Sequence, residues 1–156
     1  MHPLLPSLAA AGLYTGTAAY QAWRLAQRTT PNKNILGTLG LLALLAHGCS
    51  LYLQLITPTG LGLDFFNAAS LIAAAVILLT LLASRQIPVE NLLLLLFPLG
   101  ALTTLMAQFA PSGTVATINE QPGILAHILL SILAYGMLTI AMFQSLLLLL
   151  QDHQLK

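Results

Sequence analysis

Charged side chains are scarce in this sequence. Lys, Arg, Asp and Glu make up 6% of the 156 residues, whereas soluble domains carry roughly a quarter. Five cations and four anions leave a formal net charge of +1, so nucleic acid is not expected as a partner. Hydrophobic residues account for 58% of the chain. This composition excludes a soluble globular domain and indicates an all-α membrane protein whose main partner is the lipid bilayer.

Cysteine and the common catalytic motifs are also nearly absent. Cys49 is the one cysteine, which excludes an intramolecular disulfide, and its apolar surroundings predict a small packing residue. The sequence has no Cys and His cluster with zinc spacing, no glycine-rich phosphate loop and no nucleophile motif. Its acids lie near the ends of the apolar segments, which argues against an ion relay within the membrane. We therefore expect neither an enzyme nor a small transporter.

What the sequence has in abundance is long apolar segments, close to the roughly 20 residues that cross a bilayer core. They predict a polytopic bundle of five transmembrane helices in a single domain, at about 4–25, 35–56, 66–83, 90–109 and 124–150. Asp64 is predicted to cap the third helix, with Asn67 closing the cap. In the first helix, Gly12 and Gly16 form a small-xxx-small pair that permits close approach of another helix.

The few cations predict the orientation of the bundle. Arg24, Arg28 and Lys33 belong to the first connection, Arg85 to the third, and Lys156 to the carboxyl end. The connections on the opposite side hold no cation. Because cytoplasmic loops are enriched in Lys and Arg, the amino terminus is predicted to lie outside and the carboxyl terminus in the cytoplasm.

The fifth apolar segment carries a line of polar side chains. His127, Ser131, Tyr135 and Thr139 recur every four residues, which places them along one face of a helix. An ionisable group inside a membrane segment is costly, so this face is predicted to meet protein or a cofactor. The alternative is that His127 only satisfies a nearby carbonyl or headgroup water, while Ser131 and Tyr135 join helices.

A second histidine, His47, lies within the second segment. From the rise of an α-helix, it is about 14 Å from the outer end of its segment, whereas His127 is about 5 Å from that side. We therefore treat the two as separate candidates for binding a cofactor. For His47 the alternative is a structural hydrogen bond to a neighbouring helix.

Three stretches carry a resemblance to a known family. They are LAHILLSILAYGMLTIAMFQSLLLLLQD from Leu125, LDFFNAASLIAAAV from Leu63, and PVENLLLLLFPLGAL from Pro88. Together they resemble the cytochrome c assembly family of haem-handling membrane proteins, in its short bacterial inner-membrane branch. The resemblance covers essentially the whole chain and implies haem as the cofactor. It places His127 at the family's outer haem-ligating histidine, and His47 at a more variable membrane histidine.

The sequence departs from the haem-delivering members in one respect. Their tryptophan-rich outer motif and second histidine would lie beyond Lys156, and this chain has one tryptophan, Trp23. Either the chain is the amino-terminal part of a longer member, or it is a short form that needs a partner to complete a site.

The resulting prediction is a five-span protein of the bacterial inner membrane that binds haem or handles it for cytochrome c biogenesis. His127 is the predicted ligand of the haem iron, and His47, Ser131 and Tyr135 are further cofactor-binding candidates. The alternative is an accessory or scaffold subunit of a neighbouring transporter, bound to other membrane subunits through small-residue faces on the first and third segments.

Overall fold

The computed structural model describes residues 4–57, 60–110 and 122–155. Within them the chain forms five α-helices and one two-stranded antiparallel turn. The elements in chain order are α1 (Leu4–Ala26), α2 (Lys33–Leu55), β1 (Ile56–Thr57), β2 (Gly60–Leu61), α3 (Phe65–Ala83), α4 (Glu90–Phe109) and α5 (Pro122–Leu155). The prediction of an all-α membrane bundle is confirmed. Most of the predicted connection between the segments at 90–109 and 124–150 lies outside the described residues.

Four of the helices in the described part of the chain are long and apolar enough to cross a membrane. They are α2, α3, α4 and the segment Ala126–Leu149 of α5. The remaining helix, α1, has 23 residues, or about 34 Å of helix. Its contacts run the length of the bundle, because Ser7 meets Gln108 near the end of α4 and Gln21 meets Glu90 at its start. Helix α1 therefore lies antiparallel to α4 and crosses the same layer.

Side-chain caps fix the starts of α2 and α3. The Asn32 carboxamide oxygen accepts hydrogen bonds from the backbone N–H groups of Asn34 and Ile35. Asp64 accepts from the backbone N–H of Asn67, and the Asn67 side chain donates back to Asp64 at 3.0 Å. Both arrangements satisfy N–H groups that a helix start leaves without a partner. The prediction of a cap by Asp64 and Asn67 is confirmed.

Helices α1 to α4 form one core with Tyr14 and Phe97 at its centre, both fully buried. Two glycines allow this close packing. A Cβ atom added to Gly40 would lie 2.9 Å from the Phe97 ring, and one added to Gly100 would lie 2.5 Å from Ile77. Such distances are shorter than real side-chain contacts, so these positions tolerate glycine alone without a shift of a neighbour.

Two expectations about small residues are not met within the described chain. Gly12 and Gly16 are exposed, and a Cβ atom at either would meet nothing within 4 Å. Their predicted close approach to a helix therefore has no counterpart among α2 to α5. Cys49 is exposed as well, so its interpretation as a packing residue is wrong. In both cases the apolar surroundings in sequence do not reveal which side of the helix faces the core.

Helix α5 lies at the edge of the bundle. Its contact with α3 centres on Gly136, which is buried against Val76 and Leu79. Ile140, Phe143 and Leu147 continue this contact face and are partly buried. Most of the other side chains described on α5 are exposed, so one face of the helix packs and the rest is left uncovered by α1 to α4.

Candidate functional site: two histidines in different settings

His47 lies at the centre of the bundle and is fully buried. Its Nδ1 atom is 3.2 Å from the hydroxyl of Tyr14 on α1, and its Nε2 atom is 2.8 Å from the hydroxyl of Ser70 on α3. A neutral imidazole donates from one nitrogen and accepts at the other, so the two hydroxyls take complementary roles. His47 thereby joins α1, α2 and α3 and has both ring nitrogens engaged.

Aromatic contacts enclose this histidine. The Tyr14 ring meets the imidazole edge to face, with centroids 5.7 Å apart and an interplanar angle of 86°. On its other side Tyr14 stacks on Phe97 of α4, with centroids 5.6 Å apart. Edge-to-face and offset geometries are the favoured ones for such rings. Three helices thus hold Tyr14 and His47 in a fixed mutual orientation.

A second polar cluster lies toward the end of the bundle that holds the α2–α3 turn. The Gln54 amide donates to the Ser50 hydroxyl at 2.7 Å, Ser50 and Ser7 are 2.6 Å apart, and Ser7 donates to Gln108 at 3.0 Å. Either serine hydroxyl can donate in the contact between Ser7 and Ser50. The result is a chain of hydrogen bonds that joins α2, α1 and α4 and is built from neutral groups.

His127 occupies a different environment on α5. It is exposed, and it precedes Gly136 by nine residues, or about two and a half turns of helix. It therefore points away from the side of α5 that contacts α3. Tyr135 is 61% exposed, Ser131 is half-buried, and Thr139 donates to the backbone carbonyl of Tyr135. The polar line predicted from the sequence begins on the uncovered side of α5 at His127 and includes half-buried positions at Ser131 and Thr139.

The structure does not bring the two histidines together. His47 is enclosed by α1 to α4, while His127 lies on the outward side of a helix that contacts α3 and α4. Among the described residues, no group of three or more His, Cys, Asp and Glu side chains is arranged to hold a metal ion. The two imidazoles are therefore not placed to bind one metal ion together.

Sequence reasoning did not identify Tyr14 and Ser70 as the partners of His47. A signal for Tyr14 exists, because Ser7, Tyr14 and Gln21 recur every seven residues and all three are buried in α1. This spacing marks one face of the helix. A polar face on an otherwise apolar helix would have indicated that α1 points its hydrogen-bonding groups into the bundle. Ser70 is a lone serine among Ala, Leu and Ile, and nothing in the sequence distinguishes it.

Comparisons with known proteins extend over most of the chain. A family model described as "Cytochrome C assembly protein" matches residues 35–156. The inner membrane protein YpjD of Escherichia coli strain K12 is 30% identical over 120 residues, which cover 74% of this chain and 44% of that protein. YpjD proteins of the strains O6:H1 and O157:H7 give the same values. The chain spans less than half the length of these relatives. No solved structure matches.

Proposed function

Because the chain belongs to the cytochrome c assembly protein family, we propose that it binds haem, or hands it on, for cytochrome c biogenesis in a bacterial inner membrane. Four apolar helices and relatives named as inner membrane proteins agree with that location. In this proposal haem is a cargo that the protein holds and releases, and the chain itself catalyses no covalent step.

The observation that carries the proposal is the exposure of His127 on the uncovered side of α5. The imidazole there presents a nitrogen that none of α1 to α4 covers. Ser131 and Tyr135, four and eight residues further along, place two hydroxyl groups on the same side of the helix. Hydroxyl groups can orient a ligating imidazole or bind a propionate.

We assign His127 as the residue that binds the iron and Ser131 and Tyr135 as its companions. Bound haem would supply an iron that the His127 imidazole can ligate. His47 would not share that role, because it is enclosed within the bundle. For His47 we propose a positioning role, since binding iron would first require it to leave Tyr14 or Ser70.

The test is an optical spectrum and a haem-to-protein ratio for protein purified in mild detergent from haem-supplied cells. We expect a Soret band with about one haem per chain, lost in His127→Ala and retained in Tyr14→Phe. Ser131→Ala and Tyr135→Phe should weaken haem retention without abolishing it. Tyr14→Phe is the matched control, because it alters the buried histidine network and leaves α5 untouched.

A folded, helical protein that purifies colourless from haem-supplied cells would overturn the proposal for this chain. A Soret band that survives in His127→Ala would remove the ligand assignment while leaving haem binding in place. In the first case the accessory-subunit alternative remains, and bulky replacements at Gly12 or Gly16 should then abolish assembly with the partner.

A further inference from the structure

A groove runs along the surface of the bundle between α2 and α3. It consists of two cavities. The lower cavity, of about 510 Å³, lies at the end with Lys33 and Arg85, and the upper cavity, of about 520 Å³, lies toward the α2–α3 turn. Leu78 lines both cavities, so they meet at this residue of α3. We call this feature the α2–α3 groove. It lies on a different side of α3 from the α5 contact, which uses Val76 and Leu79.

The lower end of the groove is polar and positively charged. Lys33 and Arg85 line it together with the carboxamide of Asn34 and the hydroxyl of Ser84. Glu90 also lines this end and forms an ion pair with Lys33. Two cations against one anion leave a net charge of +1 at this point. Lys33 keeps 68% of its side-chain surface exposed despite the ion pair, so its side chain is accessible to another anion.

Above these charges the walls of the groove are apolar. Leu41 and Leu82 continue the lower cavity away from Lys33 and Arg85, and the upper cavity is lined mainly by leucine and alanine side chains, with Leu44 near its base. From Lys33 to Leu44 is 11 residues, or about 16 Å of helix. One leaflet of a bilayer core is about 15 Å thick. The charged end and the apolar walls are therefore spaced like the headgroup and acyl chain of one lipid.

We propose that the α2–α3 groove binds an anionic phospholipid. The phosphate lies at Lys33 and Arg85, with the Asn34 side chain as a hydrogen-bond donor, and an acyl chain follows Leu41 and Leu78. Charge complementarity selects an anionic headgroup over a zwitterionic one. The apolar wall selects a lipid over a soluble phosphate. The lower cavity contains no His, Cys, Tyr or Met among its lining residues, which makes it unsuited to ligating haem iron. The site is thus independent of the function proposed above.

The first test is lipid binding to the full chain in detergent, measured by native mass spectrometry with phosphatidylglycerol and with phosphatidylcholine. We expect phosphatidylglycerol to be retained more strongly. Each cation near an anionic membrane surface is worth about 1 kcal/mol, or about a fivefold change in affinity. Lys33→Gln and Arg85→Gln should each weaken phosphatidylglycerol binding by about fivefold. Arg28→Gln is the matched control, because Arg28 is a cation of the same end outside the groove, and it should change little.

Two further variants separate binding from folding. Glu90→Gln removes the anion of the site, so it should strengthen phosphatidylglycerol binding by a similar factor, which loss of structure would not do. Gly37→Leu fills the lower cavity, where an added Cβ atom meets nothing within 4 Å, and it should exclude the lipid. Gly12→Leu is its control, since that position is equally open and lies outside both cavities.

Equal retention of the two lipids would overturn the proposal. So would phosphatidylglycerol binding that Arg85→Gln and Gly37→Leu leave unchanged in folded protein. An arm with inorganic phosphate alone distinguishes the source of the anion. If phosphate protects the protein against heat as well as phosphatidylglycerol does, the site binds a soluble anion and the lipid assignment is wrong.

Discussion

His47 is fully buried, and it obtains its two hydrogen bonds from hydroxyl groups on two other helices. Interhelical hydrogen bonds of this kind contribute about 0.6 kcal/mol on average in membranes, and at most about 1.7 kcal/mol. The larger effect is specificity. Tyr14 and Ser70 fit His47 in one arrangement of α1, α2 and α3, so a rotated or shifted helix would leave polar groups in hydrocarbon.

At the residue scale we predict opposite outcomes for the two histidines. His47→Ala removes two hydrogen bonds and leaves a cavity in the core, so it should lower the free energy of unfolding by about 2–4 kcal/mol. His127→Ala alters an exposed side chain and should leave stability unchanged within about 0.5 kcal/mol. Both are measured by thermal or denaturant unfolding in detergent.

The same two variants also test the role proposed for His47. If His47→Ala loses bound haem while stability stays at the level of the unaltered protein, His47 is a ligand and the positioning role is wrong. A double-mutant cycle of Tyr14→Phe with His47→Ala should give a coupling of about 0.6 kcal/mol for their hydrogen bond.

At the scale of the elements, the bundle depends on where two helices approach one another most closely. Gly100 brings α4 against Tyr14 and Ile77, and Gly40 brings α2 against Phe97. The sequence offers several glycines in similar apolar surroundings, including Gly12, Gly16 and Gly37, and these face open space. The close approaches therefore depend on the relative rotation of the helices, which no local pattern fixes.

Gly100→Val and Gly12→Val form a matched pair that tests this packing. Both replace glycine by the same β-branched residue in a helix, so the difference between them reports the crowding alone. At Gly100 the new side chain would collide with Ile77 and Tyr14, and we expect a loss of about 1–3 kcal/mol relative to Gly12→Val. Equal thermal unfolding midpoints for the two variants would contradict the packing of α4 against α1 and α3.

Local sequence signals predicted the elements well. The lengths of the apolar segments predicted the bounds of all five helices to within a few residues, except at the end of α5. That helix ends five residues after the predicted bound of 150. Asp64 and Asn67 gave the α3 cap because capping depends on neighbours in sequence. The partners of His47 and the ion pair between Lys33 and Glu90 join residues that are distant in sequence. They follow from the order in which the helices pack, which apolar length leaves open.

At the scale of the whole molecule, the charges divide the bundle into two ends. Arg24, Arg28, Lys33 and Arg85 all belong to the end formed by the α1–α2 and α3–α4 connections, where Lys33 reaches Glu90. The α2–α3 turn at the opposite end carries Asp64. The predicted orientation, with the cationic end in the cytoplasm, depends on this separation and stays a prediction.

Cysteine labelling tests the orientation directly. In a Cys49→Ala background, a membrane-impermeant maleimide should label Ile56→Cys in intact spheroplasts, because Ile56 is 53% exposed in the α2–α3 turn. Arg28→Cys should react only after lysis. If Arg28→Cys but not Ile56→Cys were labelled in intact spheroplasts, the protein would have the opposite orientation in the membrane and the prediction would be wrong.

The hydrogen bond from Ser7 to Gln108 joins residues 101 positions apart in the chain. At a synthesis rate of about 5–20 residues per second, Gln108 leaves the ribosome roughly 5–20 s after Ser7. Helix α1 is not among the four described helices that are long and apolar enough to cross a membrane. The contact between Ser7 and Gln108 therefore cannot form until α2, α3 and most of α4 have been synthesised. The packing of α1 against α4 is completed late in the synthesis of the described helices, although α1 precedes them in the chain.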